Sequence, residues 1–315
     1  MAAAEIRKSR AVSVATTLDH LGLCTHDLGA LTAAWERMGF RLSPLARQSG
    51  KRTPEAATEP FGTANRCAFL EHGYIELLGL MDPRLFANGL DRFLARYTGA
   101  HICAFGIQDA EGNLARLRRG GLDIPSISWL ERPVEPDLPG GGPIARFARL
   151  PFPDAPEGRI QLVQHLTPEL VWDRRWMGHA NGAIALETAI LVAENPAEAT
   201  ARLSRLTGQP ARPDPLSGFV LTLPGTAGGA GPFSPALPTH LRILPPAALP
   251  HILPGVTPPA LPFLAGMVLR TRDEGRAARA VLAGLPVVEA PDGIMVPPSH
   301  AGGAAVVFGR AADGS

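Results

Sequence analysis

The fold is decided by a stretch near the start of the chain, TLDHLGLCTHDLGALTAAWERMG at residues 17–39. It begins with a short apolar segment, continues through Asp27 into the helical segment LGALTAAWERM, and ends at Gly39. An aspartate accepts hydrogen bonds from the free N–H groups of a helix's first turn. A glycine suits the left-handed residue that ends a helix. The stretch therefore predicts a strand followed by a capped helix.

The same pattern occurs three more times along the chain. Its later caps are Asp109, Asn195 and Asp273, and its later terminal glycines are Gly120, Gly208 and Gly284. With caps at positions 27, 109, 195 and 273, the intervals are 82, 86 and 78 residues. Such a period is longer than the roughly 20 to 50 residues of solenoid repeats, which excludes that class.

Each helix is followed by enough chain for three further strands. In the first copy, NRCAFL and YIELLG flank the turn EHG and indicate a hairpin. We therefore predict an α+β fold of four βαβββ modules. The modules form two paired, cup-shaped domains, residues 1–167 and residues 168–315.

The amino-acid composition limits the kinds of molecule that the protein is expected to bind. Hydrophobic residues make up 45% of the chain and charged residues 19%, with a formal net charge of +1, which favours neither disorder nor nucleic-acid binding. The three cysteines lack CxxC spacing, so they predict neither a disulfide framework nor a zinc knot. No secretory signal or membrane span is indicated. We expect a cytoplasmic protein with a small-molecule substrate and no nucleic-acid or membrane partner, and a homodimer is left open.

Four further motifs, taken in order, resemble the vicinal oxygen chelate superfamily and specifically its glyoxalase-like domain proteins. They are LDHLGL at the start, YIELLG closing the first module, VQHLTPELVW with HANGA between the halves, and VPPSHAGGAAVVF near the end. The resemblance extends from about Thr16 to Phe308. It implies paired βαβββ modules whose sheets curl into a cup around a divalent metal ion.

In that family the metal ligands come from the first and last strands of each paired module. The resemblance implies the ligands His20 and Glu76 in the first module, and His101 and Gln161 in the second. His101 is matched to His20 by distance to the cap, 8 residues before Asp109 against 7 before Asp27. Such a set suits Fe, Mn, Co, Ni or Zn without distinguishing among them. Because an amide is a weak ligand, water or substrate could replace Gln161.

The strand that carries Glu76 supports this interpretation independently. Residues two apart share a face, so Glu76 lies on the same face as Tyr74 and Leu78. A carboxylate among such neighbours is costly to bury unpaired, and a metal removes that cost. His20 considered alone is more simply a buried histidine, whereas His165 and His179, between the halves, are expected to make structural hydrogen bonds.

The resemblance implies a metal-dependent glyoxalase-type lyase or isomerase, acting through an enediolate on a substrate that chelates the metal by two adjacent oxygens. Glu76 would be both ligand and general base. One alternative is an extradiol Fe(II) dioxygenase, and another is a non-catalytic, resistance-type binding protein. In the C-terminal half the matching positions are Thr188 and about Ala265, so no metal ligands are expected there.

Overall fold

A computed structural model describes residues 13–50, 56–134, 142–153, 155–225 and 237–309. Strand, helix and three strands follow one another four times in these residues, which confirms the predicted α+β modules. None of the described helices is both long enough and apolar enough to cross a membrane.

The first two modules occupy the N-terminal half. The first consists of β1 (Thr17–Thr25), α1 (Leu28–Arg37), β2 (Ala46–Gly50), β3 (Glu59–Phe69) and β4 (Tyr74–Leu80), and is followed by α2 (Leu90–Leu94). The second consists of β5 (Gly99–Gly106), α3 (Ala110–Arg119), β6 (Ser128–Pro133), β7 (Ile144–Phe152) and β8 (Arg159–His165). The predicted hairpin is β3–β4, and β7–β8 is its counterpart in the second module.

The C-terminal half repeats this order after a connection containing α4 (Pro168–Val171) and a 3-10 turn (Arg174–Trp176). The third module consists of β9 (Ala183–Val192), α5 (Pro196–Thr207), β10 (Ala211–Asp214), β11 (Gly218–Leu223) and β12 (Thr239–Leu244). A 3-10 turn (Pro246–Ala248) and α6 (Leu249–Ile252) lead into the fourth. That module consists of β13 (Phe263–Thr271), α7 (Arg276–Val281), β14 (Val288–Ala290), β15 (Gly293–Val296), α8 (Pro298–Ala301) and β16 (Ala305–Gly309).

Three of the predicted helix caps are made as expected. The side chains of Asp27, Asp109 and Asn195 accept hydrogen bonds from backbone N–H groups three residues later, at 2.9, 2.8 and 3.2 Å. The fourth helix differs, because left-handed Gly275 (φ 81°) adds a turn and α7 begins only at Arg276. Asp273 still accepts from the N–H of Ala277 at 2.9 Å.

The modules are joined in pairs by their first strands, which run antiparallel to each other. β1 pairs with β5 in the N-terminal half, and β9 pairs with β13 in the C-terminal half. Each of these strands also runs parallel to the last strand of its own module, as β1 does to β4. One hydrophobic core extends through both halves, with members from Ala15 to Phe308. The division into domains at residue 167 stays a prediction.

Every first strand contains a β-bulge at the same place. In β1 the extra residue is Asp19, because Leu18 faces Phe105 while His20 faces Ala104. The corresponding extra residues are His101 in β5, Glu187 in β9 and Ala265 in β13. Each lies 8 residues before its cap position, as 27 minus 19 and 109 minus 101 show. A bulge adds one residue to a strand without adding one to its partner, so it shifts which side chains share a face.

The cup of the C-terminal half is filled by its own side chains. Residues from β9, β12, β13 and β16 pack against the segment around α6 in a single buried cluster that includes Ile190, Leu244, Leu249, Leu253, Phe263 and Val307. In register, Arg242 and Val307 take the positions that Glu76 and Gln161 occupy in the other half. This half therefore presents a packed apolar interior where the first half has a cavity.

Candidate functional site

A cavity of about 320 Å³ opens in the cup of the N-terminal half. Its walls come from the strands of the first two modules and include His20, Tyr74, Glu76, Arg149, Arg159 and Gln161. The pairing register accounts for this grouping. His20 lies beside Tyr74 and Gly22 beside Glu76, while Ala104 lies beside Gln161 on the other side of the β1–β5 pair. The structure thus brings three of the four predicted ligands, His20, Glu76 and Gln161, to one cavity.

His101 lies elsewhere. Its ring is fully buried and stacks on Tyr97 with a centroid distance of 3.9 Å, and its Nε2–H donates to the carbonyl oxygen of Tyr97 at 2.8 Å. Burial lowers the pKa of His101 to about 4, so the ring is neutral at physiological pH. Its neighbour Ile102 lines the cavity instead. His101 is therefore an aromatic-packed core residue, which corrects its predicted grouping with the other three.

The bulge explains the correction. His101 is the extra residue of β5 and corresponds to Asp19, whereas Ile102 corresponds to His20. A shift of one residue moves a side chain to the other face of a strand. The sequence contained the signal, since Ile102 and His20 each precede their caps by 7 residues while His101 precedes its cap by 8.

His20 is held in place by a buried carboxylate. Asp19 is fully buried, and its two oxygens lie 2.6 Å from His20 Nδ1 and 2.9 Å from His165 Nε2. Burial alone would raise the pKa of Asp19, but attraction to His165 and hydrogen bonds from both rings hold it below its ordinary value. The ionised carboxylate accepts a hydrogen bond from His20 Nδ1–H, so this tautomer leaves the lone pair on His20 Nε2.

Aromatic rings support this network on both sides. The His20 ring stacks on Tyr74 at 4.4 Å, and the His165 ring meets the edge of Trp172 at 4.7 Å. Burial raises the pKa of Tyr74 well above its ordinary value, so its phenol stays protonated. The roles of Asp19 and His165 were missed in the sequence, where His165 was expected to make a structural bond between the halves. The sequence signal for this network was Asp19, an acidic residue within the otherwise largely apolar first strand.

Glu76, the predicted carboxylate ligand, has a hydrogen-bond partner within the first module. Glu76 Oε1 accepts a hydrogen bond from Asn65 Nδ2 at 2.5 Å, across the β3–β4 pair. His179 has the structural role expected for it, because its Nε2–H donates to the carbonyl of Phe69 at 2.9 Å while its Nδ1 accepts from the N–H of Arg41 at 3.0 Å.

Sequence similarity to a known domain identifies the family of the chain. The model of the glyoxalase-like domain matches residues 18–207, more than half of the chain. The chain belongs to the glyoxalase-like domain family. This membership confirms the resemblance to the vicinal oxygen chelate superfamily. No curated protein matches the sequence at a significant level.

Several solved structures share the fold of this chain at low sequence identity. A hypothetical protein from Staphylococcus aureus is 12% identical, with a TM-score of 0.59 over 93% of this chain and 98% of that one. A Mn(II)-bound glyoxalase from Novosphingobium aromaticivorans is 11% identical, with a TM-score of 0.52 over 93% and 81%. A mutant 4-hydroxymandelate synthase from Streptomyces coelicolor is 12% identical, with a TM-score of 0.50 over 88% and 78%. These likenesses show a common fold.

The side chains of this family member fit the predicted metal site poorly. With Ile102 in the place of a second histidine, the cavity offers one imidazole from His20, one carboxylate from Glu76 and the weak amide of Gln161. Within the described ranges, no group of three or more His, Cys, Asp or Glu side chains is placed to hold a metal ion. A ferrous oxygenase site requires two histidines and a carboxylate. Metal ligation by His20, Glu76 and Gln161 stays a prediction.

Proposed function

We propose that the protein is an acid–base enzyme of the lyase or isomerase type, which moves a proton on a small oxygen-rich substrate in the N-terminal cup. One observation carries the proposal: His20 lines the cavity with its Nδ1 bonded to the buried, ionised Asp19. A carboxylate in this position fixes the tautomer of an imidazole and stabilises the imidazolium that forms when Nε2 takes up a proton. His20 is thereby suited to general base catalysis.

The cavity supplies the other groups that such a reaction needs. His20 Nε2 removes a proton from a carbon next to a carbonyl group, and the negative charge moves to the carbonyl oxygen. The amide N–H of Gln161 is a donor for that oxygen in the same cavity. Glu76, the base predicted from sequence, serves as the second proton-transfer group. With a hydroxyketone, Glu76 moves the hydroxyl proton to the enolate oxygen, and return of the carbon-bound proton from His20 to the former carbonyl carbon gives an isomerase. When a neighbouring group instead leaves with the electron pair of its bond and takes a proton from Glu76, the enzyme is a lyase.

The test is proton exchange in D2O, followed by NMR. Purified protein is incubated with a panel of 2-oxo acids, 2-hydroxy acids and hydroxyketones, and loss of the signal of the proton next to the carbonyl is timed. We expect exchange in at least one compound and a decrease of about 10²- to 10⁴-fold in His20→Gln, the range for a general base. Glu76→Gln should also slow the exchange.

The matched control is His26→Gln, because His26 is an exposed histidine just beyond β1. This variant should exchange at the wild-type rate, and a chelator should leave the wild-type rate unchanged. Exchange that survives in His20→Gln would contradict the proposal, as would exchange that requires added metal. Binding without exchange in any compound of the panel would favour the resistance-type binding protein.

A further inference from the structure

The wall of the cavity formed by β6 and β7 carries positive charge. Arg132 on β6 and Arg149 on β7 both line the cavity, and Arg159 at the start of β8 joins them. Arg149 lies opposite Ser128 in the β6–β7 register, and Phe147, two residues earlier on the same face, also lines the cavity. With Arg47 of β2, four guanidinium groups thus share the cavity with the carboxylate of Glu76, while Glu131, which also lines it, has its carboxylate bonded to Arg146.

Arg132 of β6 and Arg149 of β7 are incompletely partnered. Within the part of the chain that the structure describes, the buried Nε atoms of Arg132 and Arg149 have no hydrogen-bond partner. Arg146, on the outer face of β7, shows the contrast, because its Nε donates to Glu131 at 2.9 Å. Arg159 is also satisfied, since its Nη2 donates to the carbonyl of Asn88 at 2.5 Å.

The charge of Arg149 is held in an unfavourable position. Burial, and after it the charge of Arg159, lower the pKa of Arg149 to about 10, and Glu76 opposes the shift. Glu76 makes its hydrogen bond to Asn65. A buried cation without a close counter-charge is costly unless a partner arrives.

We infer that the substrate is an anion, a carboxylate or phosphate, bound by Arg149 and Arg132 beside the acid–base groups of the cavity. The inference names the substrate class of the reaction proposed above and rests on that proposal. A guanidinium presents parallel N–H donors that match carboxylate and phosphate oxygens. Because Arg149 lines the same cavity as His20 and Glu76, an anion bound to it would share that cavity with the acid–base groups.

Binding measurements test the inference without requiring turnover. Titration calorimetry would compare malonate, inorganic phosphate and the uncharged malonamide. We expect malonate or phosphate to bind the wild-type protein, malonamide to bind at least tenfold more weakly, and Arg149→Gln to weaken anion binding at least tenfold. Arg149→Lys should retain part of the affinity. Arg37→Gln, a change at the exposed end of α1, is the matched control and should bind like wild type.

Two further measurements distinguish a failure of anion binding from a failure of proton exchange. His20→Gln should bind the anion normally while losing proton exchange. Loss of exchange in this variant would therefore not contradict the inference that Arg149 and Arg132 bind an anion. Without ligand, Arg149→Gln should unfold at the wild-type temperature or above, because it removes a poorly compensated charge. Equal binding of malonate and malonamide, unchanged binding in Arg149→Gln, or no binding of either anion would overturn the inference.

Discussion

Asp19 Oδ1 lies 2.6 Å from Nδ1 of His20, the next residue in the chain. Neighbouring residues of a regular strand point to opposite faces of the sheet. The bulge at Asp19 breaks this alternation and allows two successive side chains to act together. The second carboxylate oxygen reaches His165 on the last strand of the next module, so the pair is anchored across the β1–β5 junction.

Asp19→Asn should change the tautomer of His20. An asparagine amide can donate to Nδ1, which would move the ring proton to Nε2 and remove the base from the cavity. We expect proton exchange to fall about 10²- to 10⁴-fold, the contribution of a general base. Side-chain ¹⁵N NMR of His20 would report the tautomer directly. Asp27→Asn is the matched control, since asparagine also caps a helix and should leave both measurements unchanged; an unaltered tautomer in Asp19→Asn would refute the assigned role.

Stability should fall as the pH drops from 6.5 to 4. The pKa values of His101 and His179 are lowered by burial from 6.5 to about 4 in the folded protein. In this window the unfolded chain binds protons that the folded chain excludes, so acid favours unfolding. His101→Phe, which keeps the stack between Phe93 and Tyr97, should reduce the slope of the unfolding free energy against pH in urea titrations. A slope equal to that of wild type would contradict a neutral, buried His101.

Metal titration should distinguish residue 101 from residue 102. His101→Phe should bind Co(II) as the wild-type protein does, because its ring lies outside the cavity. Ile102→His places a second imidazole in the cavity and should raise the Co(II) affinity at least tenfold, measured by calorimetry. Addition of His20→Ala to Ile102→His should abolish the gain. Weaker Co(II) binding by His101→Phe would restore the ligand set predicted from sequence.

Leu253→Ala should destabilise the protein without altering the cavity. Leu253 is fully buried in the cluster that fills the C-terminal cup. Truncation of a packed leucine costs about 2–5 kcal/mol. Urea denaturation would measure this loss, and malonate binding should stay within twofold of wild type. A large loss of malonate affinity at a temperature where the variant is folded would show that the two cups are coupled.

The modules could be predicted from sequence because their signals are local. Caps such as Asp27 and turn residues such as Gly73 act within a few positions, and the structure places both as expected. The bulges have no common side chain, since Asp19, His101, Glu187 and Ala265 occupy them. Distance to the cap was the one sequence signal for the face of each residue, and its meaning became clear only from the strand pairing. Arg132 of β6 and Arg149 of β7 likewise resemble solvated strand residues until the register places them.

The extra residue in each first strand makes these strands more sensitive to changes of length than to changes of composition. Replacing Asp19 alters one hydrogen-bonded network, whereas deleting a paired residue such as Leu21 would exchange the inward and outward sides of the strand on one side of the gap. Apolar side chains would then face the cavity and polar ones the core. Evolutionary drift between residues 17 and 25 should therefore proceed by replacement, and gaps there should be confined to loops such as the turn after Thr25.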